Sequence, residues 1–178
     1  MKGNIRYQLF VNLLFFILFH YPFSLDLKKS IHMRILPFLL LFAFTGTTAV
    51  WETDFTKAQQ QARQEHKYML LSFSGSDWCI PCIKLHKEVF ESNDFASFAA
   101  ENLVLVNADF PRLKKNNLPK EQEKKNEALA DKYDKEGHFP YTVLLDEKGN
   151  VVKSWDGNPN LSPEQFISQL KTSIDARK

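Results

Sequence analysis

Apolar residues fall into three kinds of pattern along the chain, and each kind predicts a different element. Two unbroken apolar runs, LFVNLLFFILF (residues 9–19) and ILPFLLLFAF (residues 35–44), lie near the N-terminus and have no counterpart after residue 49. Beyond that point the runs shorten to strand length. YMLLSFS (68–74) and LVLVNADF (103–110) are continuous apolar stretches bounded by polar or turn-forming residues, the form taken by strands buried on both faces. YTVLLDEKGNVVKSWDG (141–157) sets β-forming residues on either side of DEKGN, with Gly149 able to take positive φ, and predicts an antiparallel hairpin.

The segments between them carry helical spacing. Phe55, Ala58, Ala62 and His66 fall near one face of a helix capped by Thr53 or Asp54. Ile83, Leu85, Val89 and Phe90 mix with Lys84, Lys87 and Glu88 in a helix that begins at Cys79, and DFASFAAEN adds a further helical turn. Residues 111–126 are polar and basic, after which Ala128, Leu129 and Tyr133 restore the period, with Pro119 in the first turn of that helix. A last helix is capped by Ser162, has Pro163 at its first position, and aligns Phe166, Ile167, Leu170 and Ile174 in one apolar stripe. Strands separated by helices imply a parallel core with helices on both faces, and the late hairpin adds an antiparallel edge. The fold class is therefore α/β, a mixed central sheet flanked by helices, preceded by a targeting segment.

That targeting segment is residues 1–49, leaving a domain over residues 50–178. Met33 and Arg34, the apolar run after them and the small residues Thr47, Thr48 and Ala49 have the layout of a secretory signal over residues 33–49, with the upstream part an extension or a membrane anchor. Both runs are shorter than the ~20 apolar residues of a comfortable membrane span. No cysteine lies in or just after either run, which excludes a lipid-modified N-terminal cysteine. The whole chain has a net charge of +2, but residues 1–49 hold five basic residues and one acid, so the remainder has 18 basic against 20 acidic residues. The basicity belongs to the targeting segment and gives no support for nucleic-acid binding. The cluster Arg112, Lys114, Lys115, Lys120, Lys124 and Lys125 reads as a solvated loop and helix face, or as a dock for an acidic partner.

The only two cysteines, Cys79 and Cys82, are separated by Ile80 and Pro81. A disulfide stabilises mainly by closing a long loop, so a bridge across two residues constrains little. A zinc site needs four ligands, and this pair supplies two, with His86 as a third and His66 or His138 as a distant fourth. A redox role uses every local feature. Cys79 at the start of a helix meets unpaired N–H groups and the positive end of the dipole, which favour a thiolate and an attacking sulfur. Cys82 lies one turn further in and can resolve a mixed disulfide formed by Cys79. Pro81 stiffens the turn, and Trp78 offers a flat surface beside the attacking sulfur or serves as plain core.

DWCIPC, following a buried strand and opening a helix, resembles the W-C-x-P-C active site of the thioredoxin superfamily. GHFPYTVLLDEKGNVV is similar to that family's cis-proline segment, and FSGSDWCIPC with the WETDF start is similar to its exported bacterial thiol–disulfide members. The resemblance covers residues 51–174 and implies that Pro140 is a cis proline packed against the disulfide. It further implies that Phe139 pairs with a substrate peptide, and that Trp78, Phe139 and Pro140 shape the substrate site around catalytic Cys79 and Cys82. Two departures stand out. Phe73 occupies the position, six before Cys79, where thioredoxins carry a buried acid for proton transfer; Asp77 is nearer but exposed, leaving water, Lys84 or the amine and thiol leaving groups for that task; and Phe139 is bulkier than the family's usual residue before the proline.

The function implied is an extracytoplasmic thiol–disulfide oxidoreductase acting on protein disulfides as a monomer, periplasmic or anchored facing the periplasm. It would need an electron donor or acceptor, no metal and no cofactor beyond the cysteine pair. The alternative is a metal carrier or redox-sensing binding module on the same fold. Metal content of the reduced protein discriminates the two.

Overall fold

The computed structural model describes residues 48–177, so the targeting segment lies outside the described residues except for Thr48 and Ala49. Five strands form one sheet: β1 (Trp51–Glu52), β2 (Tyr68–Ser74), β3 (Leu103–Asp109), β4 (Tyr141–Leu145) and β5 (Val151–Asp156). Their spatial order is β1-β3-β2-β4-β5. β3 runs parallel to both β1 and β2, whereas β4 pairs antiparallel with β2 and with β5. β2 is central, and its Leu70, Leu71 and Met69 are fully buried because both its edges are paired and both its faces covered. The expected parallel core and antiparallel hairpin are both present, with Gly149 at φ 86° in the hairpin turn.

Five helices cover the sheet: α1 (Phe55–Glu65), α2 (Ile80–Leu85), α3 (Asn93–Asn102), α4 (Lys120–Tyr133) and α5 (Pro163–Asp175). A π-helical turn, His86–Phe90, continues α2 toward α3. Side chains of Asp54, Ser92 and Ser162 cap α1, α3 and α5 by accepting a backbone N–H from the first turn, each contributing about 1 kcal/mol. One apolar layer joins Ala58 and Ala62 of α1 and Leu129 of α4 to Met69, Leu71, Phe73, Val104, Val106, Ala108, Val143 and Leu145. The other joins Leu85, Val89, Phe90, Phe95, Phe98 and the α5 stripe to Leu70, Leu105, Leu144 and Trp155. Alternation along each strand divides the layers, since successive side chains point to opposite faces.

Local details differ from the expectations or sharpen them. The two-residue strand β1 was not foreseen, because two residues carry no period of their own. His66 is exposed and ends α1 in the left-handed conformation, φ 54°, instead of joining the buried face. The DFASFAAEN turn is a full ten-residue helix capped by Ser92. α4 starts at Lys120, and Pro119, expected in its first turn, is its cap, one residue earlier. Its period is masked because one of its two buried residues is Asn126, which donates to the backbone oxygen of Asp109 at 2.8 Å and accepts from Gln122.

Candidate active site

The turn between β2 and α2 is set by Gly75, whose backbone oxygen accepts from the N–H groups of Trp78 at 3.2 Å and Cys79 at 2.9 Å. The Trp78 indole folds back over this turn. A Cβ on Gly75 would lie 2.3 to 2.6 Å from the indole atoms, closer than side-chain carbons approach, so only glycine leaves room for the ring. Asp109, at the end of β3, accepts from the Ser76 N–H at 2.8 Å and from the Ser74 hydroxyl at 3.2 Å, tying the turn to the neighbouring strand.

Cys79 and Cys82 are joined by a disulfide. Cys79 is the N-cap of α2 and its Sγ accepts from the Cys82 backbone N–H at 3.3 Å, while Pro81 sits within the first turn. Both sulfurs belong to nearly buried residues, 4% exposed for Cys79 and 5% for Cys82. Around them the surface is apolar: Ile80 is 73% and Ile83 40% exposed. The Phe139–Pro140 peptide is cis. Pro140 is buried and lines a cavity with Cys82, and the Phe139 ring meets the Trp78 ring edge-on, centroids 5.3 Å apart. The fold thus brings all five candidate residues, Trp78, Cys79, Cys82, Phe139 and Pro140, to one end of the sheet.

Trp78 is half-buried rather than core. Its Nε1–H donates to the Phe110 oxygen at 2.7 Å, and the Phe110 ring packs edge-on against Phe139 at 5.4 Å. The Arg112 guanidinium lies over the Trp78 ring, 3.6 Å from its centroid, a cation–π contact. Phe110 and Arg112 thus join the site, beyond the five residues expected there. Their signal was the position of Phe110 at the end of the strand parallel to β2, where loops at carboxyl ends of strands converge.

Other named residues fall elsewhere. The backbone N–H of Arg112, the Asn116 amide and the Leu113 N–H all donate to Asp77 and hold its carboxyl below the usual carboxylate range, so Asp77 anchors the 111–116 loop. Lys84 is exposed beside Glu88. Lys125 pairs with Asp54 and Glu121, so the basic cluster is partly neutralised. The histidines considered as metal ligands are dispersed: His66 lies by Glu147, His86 by Glu91 and His138 by Asp134. Phe73 is fully buried in the layer under α1 and α4, on the sheet face opposite the cavity at Cys82.

A cysteine pair that closes at a helix N-terminus, beside a cis proline and an apolar rim, defines a thiol–disulfide oxidoreductase of thioredoxin fold. A family model for the thioredoxin-like domain matches residues 55–174, and the chain belongs to that family. It is 35% identical over 127 residues to the protein named disulfide bond reductase DsbH of Chlamydia pneumoniae, covering 71% of this chain and 74% of that one. A solved structure titled DsbH oxidoreductase superposes with a TM-score of 0.67 at 29% identity, over 87% of this chain and 95% of the other. A thioredoxin from Thermus thermophilus, 14% identical, matches with a TM-score of 0.53 over 72% of this chain and 88% of its own, a likeness of fold. Among the described residues no helix is long and apolar enough to cross a membrane.

Proposed function

We propose that the chain reduces disulfides of other proteins, with Cys79 as attacking sulfur, Cys82 as resolving thiol, and Trp78, Phe139 and Pro140 forming the substrate surface. The observation that carries this is the placing of Cys79 as cap of α2, its sulfur receiving the Cys82 N–H beside an exposed apolar rim. A thiolate at that position is favoured by the same N–H and by the helix dipole. In the forward reaction the Cys79 thiolate attacks one sulfur of a substrate disulfide and expels the other as a thiolate. Cys82 then attacks Cys79, releases the second substrate thiol and closes the enzyme disulfide.

Reduction as the working direction is supported by the likeness to a protein named a disulfide bond reductase. Turnover then requires a dithiol donor that reopens Cys79–Cys82. The cysteine pair itself carries the electrons, and neither a metal nor a further cofactor takes part. The enzyme works as a monomer outside the cytoplasm, a location supported by the signal-like residues 33–49 and by the need of secreted thiol proteins for a reductant.

Replacing Cys82 with serine tests the assignment: Cys82→Ser should accumulate mixed disulfides with other proteins through Cys79, and the further change Cys79→Ser should abolish them. Absence of adducts would overturn it. Direction is read from the equilibrium with glutathione, for which a reductase should lie near about −270 mV and an oxidase near about −120 mV.

A further inference from the structure

The resolving step leaves a question open that the geometry answers. Cys82 must lose a proton as it attacks, yet it is nearly buried, and the acid expected six positions before Cys79 is replaced by Phe73 on the other side of the sheet. The cavity behind Cys82 has a volume of about 460 Å³; Ser72, Ser74 and Asn107 are its polar residues from the sheet, beside Trp51, and His86, Lys87 and Glu91 are the titratable groups that line it from the turn after α2. Ser72 pairs with Asn107 of β3 on one side and Thr142 of β4 on the other, so a polar rung crosses the sheet on the face that is otherwise apolar core.

This rung leads outward. The Ser74 hydroxyl lies 3.0 Å from Asn107 Oδ1 and 3.2 Å from Asp109 Oδ1, and the Ser76 hydroxyl donates to Asp109 Oδ2 at 2.5 Å where the chain reaches solvent. Among the described residues no side chain or backbone group pairs with Ser72 Oγ or Asn107 Nδ2. Both are therefore free to bind water, and a cavity of this size holds several molecules, each needing two or more polar partners.

We propose that Ser72 and Asn107 are positioning residues that hold water against Cys82, and that this water passes the Cys82 proton through the Ser74 hydroxyl to the Asp109 carboxylate. The inference rests on the exchange reaction proposed above. In the step, the Cys82 S–H bond breaks and its proton goes to the water, while the sulfur electron pair forms the bond to Cys79 Sγ. The bond from Cys79 to the substrate sulfur breaks, and that sulfur leaves with the pair as a thiolate. The enzyme dithiol is oxidised by two electrons and the substrate disulfide is reduced by two. The water passes its extra proton to Ser74 as Ser74 gives its own to Asp109, and Asp109 returns it to solvent.

The test uses the reduced full chain mixed with oxidised glutathione and acid-quenched over time, with the glutathione adduct followed by mass. Adduct formation reports attack by Cys79, and adduct decay reports resolution by Cys82. Ser72→Ala and Asn107→Leu should each slow decay by about tenfold or more at acid pH and move the pH midpoint of decay upward, leaving formation unchanged. Asn107→Asp, which places an acceptor at the same point, should restore decay. Should Asn107→Leu fail to fold, Ser72→Ala alone decides. Unchanged decay and pH midpoint in the soluble variants would overturn the relay, as would equal slowing of formation and decay, the mark of a structural role. Failure of the unmodified chain to consume oxidised glutathione, with neither the adduct nor the Cys79–Cys82 disulfide appearing, would instead overturn the exchange reaction, and the relay with it.

Discussion

The two faces of the central sheet are made by the same strands and both covered by helices, yet they are built differently at the level of Cys82. Under α1 and α4 the inward residues stay apolar to the end of each strand: Met69, Leu71 and Phe73 on β2, Val104, Val106 and Ala108 on β3, Val143 and Leu145 on β4. Under α2, α3 and α5 the apolar rung Leu105–Leu70–Leu144 is followed at once by Asn107–Ser72–Thr142. Thr142 is fully buried and its hydroxyl has no partner among the described residues, a state that costs about 1–3 kcal/mol. A core selected for stability alone would continue with valine or leucine there. Polar residues placed against stability mark the face that carries the cavity at the reactive sulfur, whereas the other face stays apolar up to Phe110 and Phe139.

The largest effect that tests this division is on the apolar face. Phe73→Ala removes a fully buried ring and should destabilise the chain by about 3–5 kcal/mol in denaturant unfolding. Ser72→Ala, one residue away on the other face, deletes a hydroxyl that pairs with no protein group among the described residues and should leave stability nearly unchanged. Equal losses at the two positions would erase the distinction.

Much of this architecture is legible in the chain because its signals are local. Ser162, Pro163 and the stripe that follows specify α5, and the DEKGN turn specifies the hairpin, within a few residues each. The cysteine pair is equally plain, since its two-residue spacing leaves a staple little to do. What stayed hidden depends on contacts between distant segments. Ser72 and Asn107 are unremarkable until the pairing of β2 with β3 sets them side by side. Counting six residues back from Cys79 pointed to Phe73, but alternation turns that side chain away and presents Ser72 and Ser74 to the cavity instead. Arg112 was one cation in a basic run, and only the packed loop shows it stacked on Trp78.

Where the two faces meet the active-site turn, Gly75→Ala sharpens the comparison. The new methyl cannot coexist with the indole, so Trp78 must move or the turn must open, at about 1–3 kcal/mol. Loss of the hydrogen bond to Phe110 should accompany it, seen as a shifted tryptophan emission and slower reduction of protein disulfides. Native emission and rate in this variant would show that the indole position is not required. A smaller change of opposite sign is expected for Thr142→Val, which keeps the shape and deletes the unpartnered hydroxyl. It should stabilise the chain by about 1 kcal/mol, and a loss instead would mean that Thr142 is held by water belonging to the polar rung.

The smallest effect concerns a buried carboxylate at the end of α4, the only one among the described residues. Asp134 ends α4, its side chain 1% exposed, with one oxygen accepting the His138 N–H at 3.0 Å and the other without a partner among the described residues. Burial pushes its carboxyl above the usual range, opposed by the His138 N–H and imidazole and by the Gly137 N–H, and reinforced by the charge of Asp156. Glu136 also faces His138, at 3.3 Å. A raised folded-state value means that the stability associated with protonated Asp134 is fully present below the ordinary carboxylate value of about 4 and is lost as pH rises through the folded value. Asp134→Asn keeps an acceptor for the His138 N–H and cannot ionise. The variant should therefore match the parent in melting temperature at the acid end and exceed it at neutral pH, the gap opening across that window. A gap of constant size would assign the effect to packing, and a gap that opened toward acid would reverse the sign and show that Asp134 is stabilised as the anion by His138.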